Sequence, residues 1–251
     1  MTEFSYQLYS SRKFPPLGDT LRMVAETGYT RVEGYGGLLD EADALAAGMA
    51  AHGLTMPTVH VGLDLIEGDP DRVLALARQL GWQAIFAPSV APAERPHDAA
   101  GWADFGRRLT RAGAPIRAAG LAFGWHNHDF EFAALADGCR PIEAMTAAAP
   151  ELMLELDLAW VQVGGDDPVD WIDRFADRIL AVHLKDIAPD GENADEDGWA
   201  DVGHGVMDWP AINAALAKSA VRHRVIEHDN PSDHRRFAER SIAAAKAFRR
   251  I

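Results

Sequence analysis

Four short segments of the chain turn from apolar to polar at their C-terminal ends, and each ends in side chains able to ligate a metal. They are Gly124-Trp125-His126-Asn127-His128, Leu154-Glu155-Leu156-Asp157, Ala181-Val182-His183-Leu184-Lys185-Asp186 and Val225-Ile226-Glu227-His228-Asp229. Imidazole and carboxylate donors suit one divalent ion such as Mn²⁺, Mg²⁺ or Zn²⁺. Softer metals want thiolates, and the only cysteine is Cys139. Side chains alternate across a strand, so His126 shares a face with His128, Glu155 with Asp157, His183 with Lys185, and Glu227 with Asp229. Such pairs would be ruinous in a sealed core, but at the wet rim of a barrel they can surround a cation. One donor from each segment gives His126, Asp157, His183 and Glu227 as the expected ligand set.

Each of these residues has a structural alternative. His126 or His128 can serve as an ordinary hydrogen-bonded histidine, Asp157 can cap the turn after its strand, and His183 can bond a neighbouring carbonyl. Glu227 can pair with Arg222 or Arg224. Their shared position, at the same end of four different strands, favours the metal reading. Lys185 is one of four lysines and the one placed at a strand end. His60 ends the apolar run Met56 to Val59 at the same level, and Glu33 sits similarly on an earlier strand; both are candidates for touching substrate.

The elements that must position these residues follow a repeat of segment type. Strands are expected near 4–9, 30–34, 56–62, 83–87, 121–127, 152–157, 179–184 and 222–227, about one every 31 residues. Apolar residues at helical spacing lie between them, over Thr20 to Glu26, Glu41 to His52, Asp71 to Leu80, Ala99 to Ala119, Ile142 to Ala148 and Pro210 to Lys218. Gly28, Gly53, Gly81 and Gly120 each stand between a helix and the following strand, where a helix-ending glycine belongs. Eight alternating βα units predict an α/β fold, a single (β/α)₈ TIM barrel spanning 1–251. A doubly wound sheet usually carries a glycine-rich phosphate loop after its first strand, and none follows here; Gly34-Tyr35-Gly36-Gly37 comes after the second and lacks that spacing. The acidic, glycine-containing segment from Ile187 to Met207 reads as a loop over the barrel mouth.

Composition narrows the partners. The formal net charge of −14, from 24 basic and 38 acidic residues, argues against nucleic acid, whose phosphates demand the opposite sign. No apolar run is long enough to span a membrane. A single cysteine cannot form an internal disulfide, and Met1-Thr2-Glu3-Phe4-Ser5 shows no secretory pattern, so a cytoplasmic location is expected. Trp125, Trp160, Trp199 and Trp209 fall near the expected mouth, and aromatic faces pack well on sugar C–H faces. Trp125 alternates away from the lumen and should pack in the core, while Trp199, in the acidic loop, is the better candidate for a lid contact over substrate.

The chain resembles the xylose-isomerase-like barrels, a group of sugar phosphate isomerases and epimerases that also includes endonuclease IV and inosose dehydratase. The likeness is carried by Trp125-His126-Asn127-His128-Asp129-Phe130-Glu131-Phe132, Glu155-Leu156-Asp157-Leu158-Ala159-Trp160, His183-Leu184-Lys185-Asp186, Ile226-Glu227-His228-Asp229 and the turn Val202-Gly203-His204-Gly205-Val206-Met207-Asp208-Trp209. It implies one metal held by Glu, Asp, His and Glu, with Asp157, His183 and Glu227 matching the last three. At the first position this chain departs, offering His126 in place of glutamate. The epimerases of the group use two metal-bound glutamates as an acid/base pair, so here His126, His128 or Lys185 would have to replace one. Trp160 stands where endonuclease IV would carry a further zinc-binding histidine, which argues against DNA repair.

The expected activity is metal-dependent isomerisation or epimerisation of a small keto-sugar or polyol ketone by proton abstraction α to its carbonyl. Glu227 is the leading base, His126 or His128 its partner, and Lys185 the group that neutralises developing oxyanion charge. The His-Asn-His variant also resembles inosose-dehydratase-like members, which makes a lyase eliminating water the runner-up. A non-catalytic sugar-binding barrel is the third reading. Barrels of this kind often pair as homodimers, though no interface is visible in the sequence.

Overall fold

A computed structural model describes residues 3–248; Met1, Thr2 and the last three residues, at the two ends of the expected 1–251 domain, lie outside the described residues. Eight parallel strands close into a barrel: β1 (Phe4–Gln7), β2 (Arg31–Gly34), β3 (Thr55–His60), β4 (Ala84–Ala87), β5 (Ala122–His126), β6 (Met153–Asp157), β7 (Ile179–Leu184) and β8 (His223–Ile226). Each strand pairs with its chain neighbours, and β8 pairs with β1 to complete the ring. The structure is therefore the (β/α)₈ TIM barrel expected from the alternation.

The strands lie within one or two residues of their expected limits. At the first strand the chain leaves extended geometry after Gln7, whose side chain accepts the Tyr9 amide and starts a 3₁₀ turn over Leu8–Ser11. The glycines ahead of the strands adopt positive φ; Gly53 and Gly81, at 66° and 76°, end helices in the left-handed conformation that L side chains adopt at a cost. The stretch read as one helix from Ala99 to Ala119 is two, Ala99–Ala112 and Ala114–Ala118. Pro115 has no N–H to continue the first helix and instead starts the second. The C-terminal helix His234–Ala247 belongs to the eighth unit and was not among the expected segments.

Strand register sets the chemistry. Asp157 of β6 lies opposite His183 of β7, His126 of β5 opposite Glu155 of β6, and Val225 of β8 opposite His183. Because residues two apart share a face, His183, Glu155, Asp157 and His126 all look into the lumen. Below them the lumen is plugged by a small apolar cluster of Ala84, Phe86, Leu180 and Ala181. Phe86 fits because β5 carries Gly124 beside it: a Cβ there would sit 2.7 Å from the Phe86 ring. Trp125 points outward, buried against Phe105 in an edge-on contact at 5.3 Å, as its alternation predicted. Among the described residues no helix is long and apolar enough to cross a membrane.

The segment after β7 is folded rather than open. Asp186–Ile187 pairs antiparallel with Trp199–Ala200 as a two-stranded ribbon beside the barrel mouth. Asp186, buried and turned away from the lumen, accepts hydrogen bonds from the amides of Ile187, Gly203 and Met207 and from the Trp209 indole. One carboxylate thus fastens both ends of the loop.

Candidate functional site

A cavity of about 360 Å³ opens at the C-terminal ends of the strands. His60, His126, His128, Asp157, His183, Lys185, Glu227 and Asp229, with Gln7 and Ser89, form its polar lining, and Tyr9, Tyr35 and Trp160 supply aromatic wall. All four expected ligands and all four expected catalytic residues therefore border one space.

Within that space they sort into two groups. Asp157, His183 and Glu227 present ligand atoms that all lie within 4.8 Å of one another. Asp157 performs two tasks at once. Its Oδ1 caps the following helical turn by accepting the Ala159 and Trp160 amides at 3.0 Å each, while Oδ2 is buried without a hydrogen-bond donor. The cap reading and the ligand reading of this residue are compatible. His183 Nδ1, 3.7 Å from Asp157 Oδ2, is likewise buried and unbonded. Glu227 Oε2 has the Lys185 ammonium 3.0 Å away but no well-aligned hydrogen bond. Two carboxylate oxygens, one of them ion-paired with Lys185, and one unbonded imidazole nitrogen in a buried pocket are a donor set that fits a divalent cation.

His126 falls in the other group. It joins His60, Glu155 and His183, whose ligand atoms also lie within 4.8 Å of one another. His126 Nδ1 is 3.3 Å from Glu155 Oε2, and His60 Nε2 is 2.5 Å from the same oxygen. Glu33 reaches this layer from β2, where it accepts the Gln7 amide at 2.7 Å and meets His183 Nε2 at 2.7 Å. Glu33 and His60, expected to touch substrate, thus serve mainly in this buried layer, although His60 also reaches the cavity wall.

Burial pushes the Glu33 carboxyl upward, but the His60 and His183 imidazoles outweigh it and hold it at about 2. Burial and the Glu33 charge together drive Glu155 well above the ordinary carboxylate range. Burial alone would lower His183, yet the surrounding Glu155, Asp157 and Glu33 raise it well above the usual histidine value. The consistent proton arrangement has Glu33 charged, Glu155 protonated toward His60, and His183 donating to Glu33. His126 and His128 are lowered chiefly by burial, His128 to about 4, so both rings are neutral near pH 7.

Lys185 is almost fully buried, paired with Asp229 and Glu227 and stacked on Trp199 with its nitrogen 3.9 Å from the ring centre. Trp199 is itself buried, in edge-on contact with Trp160 at 4.7 Å. It stands behind Lys185 and Trp160 and is not among the residues that line the cavity. Burial and the Asp229 charge raise the Glu227 carboxyl to about 7, against the lowering effect of Lys185. Glu227 pairs with Lys185.

Several contributors carried a weaker sequence signal. Gln7 was marked by a polar residue at the end of β1. Glu131 accepts the Trp125 indole and the His128 amide, and so holds the turn that presents His128; its signal was an acidic residue inside an aromatic run. Asp229 was legible only as the strand partner of Glu227.

A profile described as xylose isomerase-like TIM barrel matches residues 21–250. The chain belongs to that family. Among solved members and relatives of the xylose isomerase-like barrels, a sugar phosphate isomerase/epimerase from Parabacteroides distasonis superposes with a TM-score of 0.82 at 20% identity, covering 98% of this chain and 94% of the other. A probable 3-DHS dehydratase from Bacillus anthracis, involved in petrobactin synthesis, superposes at 0.76 with 12% identity over 98% and 99% of the two chains. A family 2 AP endonuclease from Brucella melitensis gives 0.70 at 15% identity over 94% and 96%. At these identities the likeness is one of fold. No curated protein matches the chain by sequence.

Proposed function

We propose that this xylose isomerase-like barrel is a divalent-metal-dependent sugar isomerase or epimerase that removes the proton α to the carbonyl of a small keto-sugar or polyol ketone. The observation that carries the reading is the meeting of Asp157 Oδ2 and His183 Nδ1, both buried without a hydrogen-bond partner, with Glu227 Oε2, which is ion-paired with the Lys185 ammonium. Asp157, His183 and Glu227 would hold the ion, and His126 stands next to them. An ion bound there supplies a Lewis acid for the carbonyl and the adjacent hydroxyl oxygen.

The protein's own groups do the rest. Glu227, whose carboxyl is raised by burial and the Asp229 charge in the metal-free site, is the group proposed to accept the carbon-bound proton. His128, held by Glu131 through its backbone, is the partner group proposed on the other side of the substrate; neutral at rest, it takes up a proton from solvent before returning one to carbon. Lys185, fixed by Asp229 and by two indoles, places positive charge where oxyanion charge develops. Tyr9, Tyr35 and Trp160 line a volume suited to a monosaccharide and offer faces for its C–H surface.

A second reading has a specific observation behind it. β5 presents two imidazoles, His126 and His128, where a two-carboxylate epimerase needs its other acid, and imidazole can protonate a leaving β-hydroxyl as readily as a carbon. This would make the enzyme a dehydratase. One experiment separates the readings: purified protein with Mn²⁺ in D₂O, offered a panel of keto-sugars and inosose. Isomerisation or epimerisation leaves deuterium at an α-carbon at unchanged composition, elimination gives a product lighter by one water, and neither signal on any substrate removes the proton-abstraction claim.

A further inference from the structure

One layer beneath the expected ligands the barrel holds a second set of donors. His60 from β3, His126 from β5, Glu155 from β6 and His183 from β7 converge on the barrel axis, and each is at least nine-tenths buried. The spacing is informative. A tetrahedral ion with bonds of about 2.0–2.1 Å sets its ligand atoms roughly 3.3 Å apart. His126 Nδ1 and His183 Nε2 stand 3.3 Å and 3.4 Å from Glu155 Oε2, and His60 Nε2 is closer, at 2.5 Å. The three rings surround the point with centroid separations of 4.6, 4.5 and 5.3 Å. His126 Nδ1 and Glu155 Oε1 are buried with no hydrogen-bond partner, which is costly unless a ligand satisfies them.

Charge points the same way. Glu33 faces this cluster with Oε1 3.4 Å from His60 Nε2, so two carboxylates and three imidazoles share a buried space whose histidines also border the cavity. A divalent cation there would offset the two buried carboxylates, Glu33 and Glu155.

We propose that the barrel binds a second divalent cation, zinc by donor type, between His60, His126, Glu155 and His183 Nε2. His183 then serves both sites as a bridging imidazolate: it gives up its ring proton to solvent, Nε2 exchanges its 2.7 Å contact with Glu33 for the deep ion, and Nδ1 turns toward the ion of Asp157 and Glu227. Three nitrogens and one oxygen favour Zn²⁺ or Co²⁺ over Mg²⁺. Three of its four ligands also border the cavity, and its proposed role is to fix His183 and His126 in orientation. It does not depend on the isomerase chemistry being correct.

The test is metal content and cobalt spectroscopy on the full chain, stripped with chelator and reconstituted with Co²⁺. The wild type should retain two cobalt ions per chain and show the intense visible absorption of a four-coordinate ion. Glu155→Gln should lose that band and one ion while keeping the other; Asp157→Asn should keep the band and lose the other ion. A wild type that holds a single ion with only weak absorption overturns the proposal, and that measurement needs no variant to fold. Proton exchange in the D₂O assay would survive such a result, so failure of the deep site and failure of the isomerase reading are separable.

Discussion

The Lys185 ammonium lies 3.0 Å from Glu227 Oε2 while pairing on its other side with Asp229. The contact controls the group proposed as the base. Burial and Asp229 push Glu227 toward protonation, and Lys185 is the principal influence in the opposite direction. The same ammonium lies 4.0 Å from Asp157 Oδ2, so one lysine balances three carboxylates.

Replacing Lys185 by Met should therefore move the acidic limb of the pH–rate profile to higher pH, because Glu227 keeps its proton further up the scale. At pH 7 the rate should fall at least about tenfold. The buried carboxylates would also lose their partner, at a cost of about 3–5 kcal/mol of stability. A pH–rate profile and urea unfolding measure the two effects. An unmoved limb would show that Lys185 does not tune the base.

Glu227→Gln should abolish deuterium exchange at the α-carbon with little change in the far-ultraviolet circular dichroism. The amide keeps the shape of the carboxyl but accepts no proton. Exchange persisting within about tenfold of wild type would reassign the base, with His128 next in line.

The barrel and the rim were legible in the sequence because strand alternation and the polar ends of the strands are local signals. Asp157, His183, Lys185 and Glu227 could be placed on one rim without coordinates. The deep layer was not legible. Glu155 was visible as the lumen-facing partner of Asp157, but that its oxygen meets His60, 95 residues earlier, follows only from ring closure and register. The same holds for His126, which the pattern grouped with Asp157 and Glu227 and the register between β5 and β6 brings to Glu155. The position of Asp186 was a third case. Its outward alternation after Lys185 was readable, but the four donors it gathers come from 1 to 23 residues downstream.

That gathering predicts a strong effect for Asp186→Ala. Removing the acceptor leaves the Gly203 and Met207 amides and the Trp209 indole without their partner, each at about 1–3 kcal/mol if unsatisfied. The thermal midpoint should drop, and limited proteolysis should open the chain between Ile187 and Met207 before any other region. Cleavage elsewhere first would show that the loop is held by other contacts.

Gly106→Ala probes packing between the helix Ala99–Ala112 and the helix Pro141–Ala148. The added Cβ would sit 2.2 Å from the Met145 carbonyl oxygen, a backbone atom that cannot swing aside. Although alanine is the better helix former, the overpacking should win and destabilise by about 1–3 kcal/mol. A chemical denaturation midpoint equal to or above wild type would contradict this packing.

The last prediction concerns acid. His228 is fully buried, accepts the Asn230 amide through Nδ1 at 3.0 Å and packs edge-on against Phe237 at 5.2 Å. Burial holds it at about 4, with Glu196 pulling in the other direction, whereas in the unfolded chain it titrates near 6.5. Because the native pKa is the lower of the two, unfolding takes up a proton between these values. The stabilisation is then complete above pH 6.5 and is lost as pH falls toward 4. His60 and His128, also lowered to about 4, add to the same trend. In His228→Asn the side-chain oxygen can still accept from Asn230, but nothing there titrates. Its thermal midpoint should start below that of the wild type at pH 7 and fall less steeply on acidification, so that the two curves converge near pH 4. Parallel curves over this range would mean that His228 is not a buried neutral imidazole.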